Sequence, residues 1–334
     1  MTTKGEDKKS VLFVLSVDTE EEWDWSGPFP QQEFSVSNVA RLADFQRMCD
    51  GLGIKPTYFV DYAVADNSSA AEVLKPPVAE NKCEIGAHLH PWCNPPFFGY
   101  VGEKESHVVN LPIEQVEQKL TTLINRLTEQ FGAAPRAFRT GRWGIDSKVM
   151  QLLVKHGFKL DSSVYPFYQN KFYSCQGAPN LPYRPSLIDP LEVDNQGEIF
   201  ELPVTAGFNH GDFALCEKLY RLISHPAINW SHLVGMAWHT RLLRKSYLSP
   251  ELFDVDEMLS LCHIALNKNY PVLHMFMHSS SLIDNNNSLK GNRNAYAHIS
   301  DAVRQVVTQL QQQIDIQFCT ISEAATILQQ RERR

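Results

Sequence analysis

The run VLFVLSV at residues 11–17 is almost wholly apolar and leads directly into a cluster of acids, Asp18, Glu20, Glu21 and Glu22. A strand without a polar face needs cover on both sides, so it belongs in a parallel sheet clothed in helices. Later segments repeat the theme. Strands are predicted at 56–62 (PTYFVDY), 84–90 (EIGAHLH), 136–141, 158–164, 199–205, 271–277 (PVLHMFM) and 314–320. Helical stretches stand between them. In the clearest, 112–131, Ile113, Val116, Leu120, Leu123, Ile124, Leu127 and Phe131 make one stripe, with Gly132 at the C-terminal cap. Others are predicted at about 36–50, from Ser147, at 254–267, at 297–312 and after Ser322. Such alternation implies an α/β barrel or an open doubly wound sheet. No composition break marks a linker. One domain over 1–334 is expected, with its core at about 10–325, a tail at 1–9 and an insertion at 209–250.

Composition narrows the function. Of 334 residues, 43% are apolar and 21% charged, a globular balance that excludes disorder, collagen and coiled coil for the whole chain. Net charge is −7 without a long basic run, so no nucleic-acid partner held by bulk phosphate neutralisation is expected. The seven cysteines are scattered without a CxxC pair and read as reduced thiols. The first ten residues are polar, and 11–17 is too short to cross a bilayer. Neither a signal peptide nor a transmembrane segment is read, and a cytoplasmic location is expected.

Position singles out the chemistry. Asp18 and Glu20 close the first strand, His88 and His90 the third, Arg139 and Arg142 the next, Asp161 the one after, and His278 the strand at 271–277. Folds of parallel strands carry their active sites at these carboxyl ends. Residues i and i+2 of a strand face the same way, so His88 and His90 aim two imidazoles at one spot. That suits a divalent-ion chelate; two solvated loop histidines would share the spacing. A carboxylate from Asp18 or Glu20 would complete a hydrolytic metal site with an open position, and an unligated acid could take a proton from water. His278 is a candidate general acid, whereas His274 reads as a core-edge residue. Arg139 and Arg142 can orient a carboxylate or bind an anion, and Trp92 and Trp143 can stack on a sugar. Each alone is equally compatible with an ion pair or core packing.

In order along the chain, SVDTEE, EIGAHLHPW, FRTGRWG, LDSSV and MHSSSL resemble the five motifs of the polysaccharide deacetylases, the NodB-homology domains of carbohydrate esterase family 4. GIKPTYFV resembles the strand after that family's first helix. The resemblance implies a distorted (β/α)7 barrel. It implies removal of acetyl groups from an N-acetylated sugar with a divalent metal, most often zinc. It implies further that Asp18 is the catalytic base, that Arg139 tethers it, that His278 is the catalytic acid and that Asp161 tunes that histidine. His88 and Glu20 would bind the metal. Two motifs depart from the family. Its adjacent acid pair has become Asp18-Thr19-Glu20, leaving Glu21 and Glu22 as alternative ligands. Its second metal histidine falls on Trp92, for which His90 is the substitute. Ser163 is an alternative to Asp161. The departures suggest a divergent branch tied to surface-polysaccharide or lipopolysaccharide assembly, with Trp92, Arg142 and Trp143 as substrate contacts. A non-catalytic glycan-binding protein and a metal-dependent glycoside or other amide hydrolase remain compatible with the same residues. The segment 209–250 holds His210, His225, His232, His239, Arg241, Arg244 and Lys245 with Trp230 and Trp238. It reads as a lid over the barrel mouth or as a helical insertion packed on its side.

Overall fold

The computed structural model describes residues 10–225, 233–284 and 294–332. The tail expected at 1–9, and Trp230 and His232 of the insertion, lie outside the described residues. The strands are β1 (Val11–Thr19), β2 (Thr57–Val60), β3 (Glu84–Leu89), β4 (Ala137–Thr140), β5 (Leu160–Asp161), β6 (Phe200–Glu201), β7 (Ala206–Phe208), β8 (Lys245–Tyr247), β9 (Val272–His278) and β10 (Ile316–Phe318). The helices are α1 (Leu42–Leu52), α2 (Tyr62–Asp66), α3 (Ser68–Ala79), α4 (Ile113–Phe131), α5 (Ser147–Lys155), α6 (Phe213–Ile223), α7 (Leu233–His239), α8 (Val255–Asn267), α9 (Ala295–Gln311) and α10 (Ile321–Glu332).

Seven parallel strands run in the order β9-β1-β2-β3-β4-β5-β6, and β10 pairs with the first residues of β1. The gap between β6 and β9 is bridged by irregular chain. Thr205 N–H donates to His274 O at 3.0 Å and Phe276 N–H to Leu248 O at 3.1 Å. Those bonds close the sheet without a regular strand, which is the distortion expected of this barrel.

The two-residue period of a strand builds the interior. Leu12 and Val14 of β1 join Phe59, Ala137, Leu160, Phe200 and Val272 in a cluster that α10 covers with Ile321, Ala324, Ala325 and Leu328. The period that buries Leu12 and Val14 carries Ser16 and Asp18 inward next. On β9 it carries His274 and His278 inward after Val272, and on β4 it brings Arg139 in after Ala137. The lower barrel is therefore apolar and the upper barrel polar, with the chemistry at the carboxyl ends of the strands.

Asp61, Asn67, Asp146, Asp212 and Asp254 each open a helix by accepting a backbone N–H of its first turn. The sequence reading missed α2 and α3. Pro76 and Pro77 sit inside α3, and a Pro-Pro pair ordinarily marks a break because it removes two amide donors. The strands at 158–164 and 199–205 shrink to two residues each; just beyond them side chains take up the backbone, Arg139 donating to Ser162 O, Ser162 Oγ to Leu202 O, and Val164 N–H donating to Glu201 Oε1.

Candidate active site

Glu20, His88 and His90 converge at the barrel mouth. Glu20 Oε2 lies 3.3 Å from His88 Nε2 and 3.3 Å from His90 Nε2, and all three residues are buried. Burial, with His90 alongside, holds His88 well below the usual histidine range, so its imidazole is neutral. Among the described residues, neither ring nitrogen of His88 has a hydrogen-bond partner. Burial lifts Glu20 to about 8. A carboxylate starved of solvent beside an unpartnered imidazole is a site that a cation would satisfy. Donors about 2.1 Å from a tetrahedral ion stand about 3.4 Å apart, which the spacing here matches. The residues therefore fit a divalent metal.

The three consecutive acids do different work. Glu21 turns away from the triad and meets His90 Nδ1 at 2.9 Å. Its other oxygen accepts the Trp92 indole N–H, and its backbone N–H donates to Asp61 Oδ2 at 3.1 Å. A carboxylate behind a histidine orients its ring, and here it turns His90 Nε2 toward Glu20 Oε2 at 3.3 Å and Gly141 O at 3.0 Å. Burial raises Glu21, and burial together with Glu21 raises Asp61 well above its ordinary range. Glu22 instead accepts from Ser37 Oγ at 2.7 Å and Asn38 N at 2.5 Å, at the 3-10 turn that precedes α1. Gly141 leaves room for His90: a Cβ there would stand 1.9 Å from His90 Cδ2.

Asp18 is 2% exposed, and its Oδ1 accepts from Arg139 Nη1 at 2.6 Å. The guanidinium is fully buried. It donates to Ser162 O at 3.0 Å and Ser162 Oγ at 2.9 Å, and it lies between the Phe59 and Trp143 rings. His278 is the register partner of Asp18, and its Nε2 lies 3.8 Å from Asp18 Oδ2. His274 lies deeper and is fully buried, with Nε2 2.8 Å from Ser16 Oγ.

Two expectations are corrected. Asp161 does not tune His278. Its Oδ1 accepts from Ser163 Oγ at 2.6 Å, and it shares a buried acid pair with its register neighbour Glu201. Glu251 is the acid beside His278, with Oε2 2.9 Å from His278 Nδ1 and Oε1 accepting the His278 backbone N–H at 2.6 Å. Burial pulls His278 down, but the Glu251, Glu20 and Asp18 carboxylates outweigh it and lift the group to about 10. Trp92 is no sugar platform either. It is 1% exposed and stacks under His90 with ring centres 4.1 Å apart.

A cavity of about 300 Å³ opens over this centre, lined by Glu20, His90 and His278 on one side and by Arg142, Trp143 and His107 on another. Trp143 adopts φ +57°, a left-handed conformation uncommon for a bulky residue. Trp25, missed in the sequence reading, meets His278 edge-on at 4.9 Å and is 36% exposed. Among the described residues, none from 209–250 lines this cavity; Glu251 and Leu252 do. The insertion supplies α6, α7 and β8, and β8 pairs antiparallel with β7, which directly precedes the insertion. Its Tyr247 stacks on Tyr165 at 4.2 Å and its Lys245 Nζ donates to Phe167 O at 3.0 Å, so its last strand is tied into the barrel wall.

No protein-family model matches the sequence, and no curated protein does. Solved structures do match. A chain from Mycobacterium smegmatis described as a polysaccharide deacetylase is 17% identical with TM-score 0.54, over 99% of this chain and 94% of that one. A Parabacteroides distasonis chain described as a glycoside hydrolase/deacetylase is 13% identical with TM-score 0.60, over 95% of this chain and 70% of that one. The PuuE allantoinase is 15% identical with TM-score 0.51, over 97% of this chain and 91% of that one. With seven parallel strands curled into a barrel and these neighbours, the chain has the NodB-type (β/α)7 fold of the polysaccharide deacetylases.

Proposed function

We propose that the chain is a metal-dependent hydrolase that removes acetyl groups from an N-acetylated sugar of a surface glycan or its precursor. The observation that carries this reading is the convergence of Glu20 Oε2 on His88 Nε2 and His90 Nε2, each at 3.3 Å, beside the Arg139-held Asp18. Held by Glu20, His88 and His90, a divalent ion such as zinc would polarise an acyl carbonyl and make water more acidic.

The chain's own residues supply the proton transfers. Asp18, kept oriented by Arg139, takes a proton from the attacking water. His278, protonated through neutral pH by its carboxylate neighbours, gives a proton to the leaving amine. Trp25 and Trp143 border the cavity as faces for the sugar ring. The products are acetate and a free amino sugar. The seven buried, unpaired thiols favour a reducing compartment.

The test is metal stoichiometry after stripping and zinc reloading, followed by acetate release from N-acetylated oligosaccharides. About one ion per chain, none in the double variant His88→Ala, His90→Ala, and acetate without a new reducing end are expected. A folded wild type that takes up no metal, or one that yields reducing ends instead of acetate, overturns the reading.

A further inference from the structure

The wall of the cavity beside the metal triad carries groups that the proposed chemistry does not use. Arg142 is half-buried, and its guanidinium lies over the Phe29 ring. Among the described residues its one side-chain hydrogen bond is to Ser106 Oγ at 3.3 Å, and it forms no ion pair. Glu103, the carboxylate whose charge acts most on Arg142, is engaged by Lys171 at 2.8 Å. His107 is 1% exposed, packs against Phe172 and Tyr173, and among the described residues has no hydrogen-bond partner on either ring nitrogen. Both residues line the cavity that holds Glu20, His90 and His278.

A partly desolvated guanidinium without a carboxylate and a buried imidazole without a partner are both unfavourable unless something else meets them. Arg142 offers a charged fork and His107 one N–H donor, which together suit an anionic oxygen group. A neutral hydroxyl would leave the guanidinium uncompensated. Burial and the Arg142 charge push His107 down to about 4, so its ring is neutral until an anion arrives.

We infer that Arg142 and His107 form an anion subsite of the catalytic cavity, which selects an acylated sugar bearing a carboxylate or a phosphate. The inference rests on the deacetylase reading for the acyl group but not for the anion.

The test is calorimetric binding to the full zinc-loaded chain with three probes: N-acetylglucosamine, its 1-phosphate and its uronic acid. At least one acidic probe is expected to bind about tenfold tighter or better than the neutral sugar, the scale of one charge-assisted hydrogen bond. Which acid gains identifies phosphate or carboxylate. The preference is expected to persist in chelator-stripped protein and to collapse in Arg142→Gln. Equal affinity for all three probes, no binding of any, or a preference that survives Arg142→Gln or disappears with the metal overturns the subsite. The comparison among wild-type probes needs no variant to fold. Acetate release in parallel separates the two readings. No acetate from any probe with the binding preference intact removes the deacetylase and leaves the subsite. Acetate released from neutral and acidic sugars at equal KM does the reverse.

Discussion

Glu251 grips His278 twice, through Nδ1 at 2.9 Å and through the backbone N–H at 2.6 Å. One carboxylate thereby fixes both the position and the proton of the imidazole opposite Asp18. The raised pKa, about 10, keeps His278 protonated as pH rises through neutrality.

Glu251→Gln keeps the shape and removes the charge. The His278 ring then loses its proton nearer its ordinary value of about 6.5. The alkaline limb of kcat should move down in pH, with kcat falling about 10- to 100-fold above neutrality. A pH–rate profile of acetate release checks this, and an unmoved alkaline limb removes Glu251 from the tuning role.

Gly141→Ala tests the seating of His90. The added methyl would meet His90 Cδ2 at 1.9 Å and Leu89 O at 2.6 Å, so the ring is driven off the triad. Zinc occupancy should fall about 10- to 100-fold in affinity, as it does when support behind a ligand is lost. Metal content after desalting, beside a normal circular dichroism spectrum, is the measurement. Full zinc retention contradicts the packing argument.

Trp92→Phe keeps the stacked ring and removes the N–H that Glu21 accepts. The loss should destabilise the fold by about 1–3 kcal/mol and weaken metal binding through His90. Sugar KM should be affected only as far as metal is lost. Urea unfolding and zinc titration decide it. A variant of normal stability and metal affinity with a raised KM would return Trp92 to the sugar.

His274 gives the fold a pH signature. Burial and the nearby Arg139 push it down to about 3, against about 6.5 unfolded. The unfolded chain binds the extra proton in that window. The group's stabilisation is whole above about pH 6.5 and is lost as pH falls toward 3, at up to about 1.4 kcal/mol per pH unit. Urea midpoints of wild type and His274→Asn at about pH 6.5 and about pH 4.5 isolate this term. The variant should lose less stability between the two. Parallel slopes would show that His274 titrates as it does in the unfolded chain.

Much of this was legible in the sequence because period and position speak locally. The apolar run before Asp18 and the HxH spacing at His88 and His90 placed both at strand ends, where the structure has them. Glu251 was not legible. It reaches His278 from beyond the insertion, across 27 residues of sequence, with no strand pattern to aim it. Asp161 was misread for the complementary reason. Its place at a strand end is real, but its neighbour across the sheet is Glu201, and register is written in hydrogen bonds between strands. Trp92 and Trp143 look alike in sequence; only burial separates the one beneath His90 from the one that borders the cavity. His107 carried no signal, being one histidine in a polar loop.

Asp18 stands on a strand paired along both flanks, with Ser16 to Asp18 in register with β2 on one side and β9 on the other. Its amide donates to one neighbour while the other flank holds the strand in place, so hydrogen exchange at Asp18 should be as slow as unfolding of the whole chain. Trp25 and Leu252 lie at the rim of the cavity, outside the strands of the sheet. The floor of the cavity is thus as durable as the protein itself, and any give on meeting a substrate belongs to the rim.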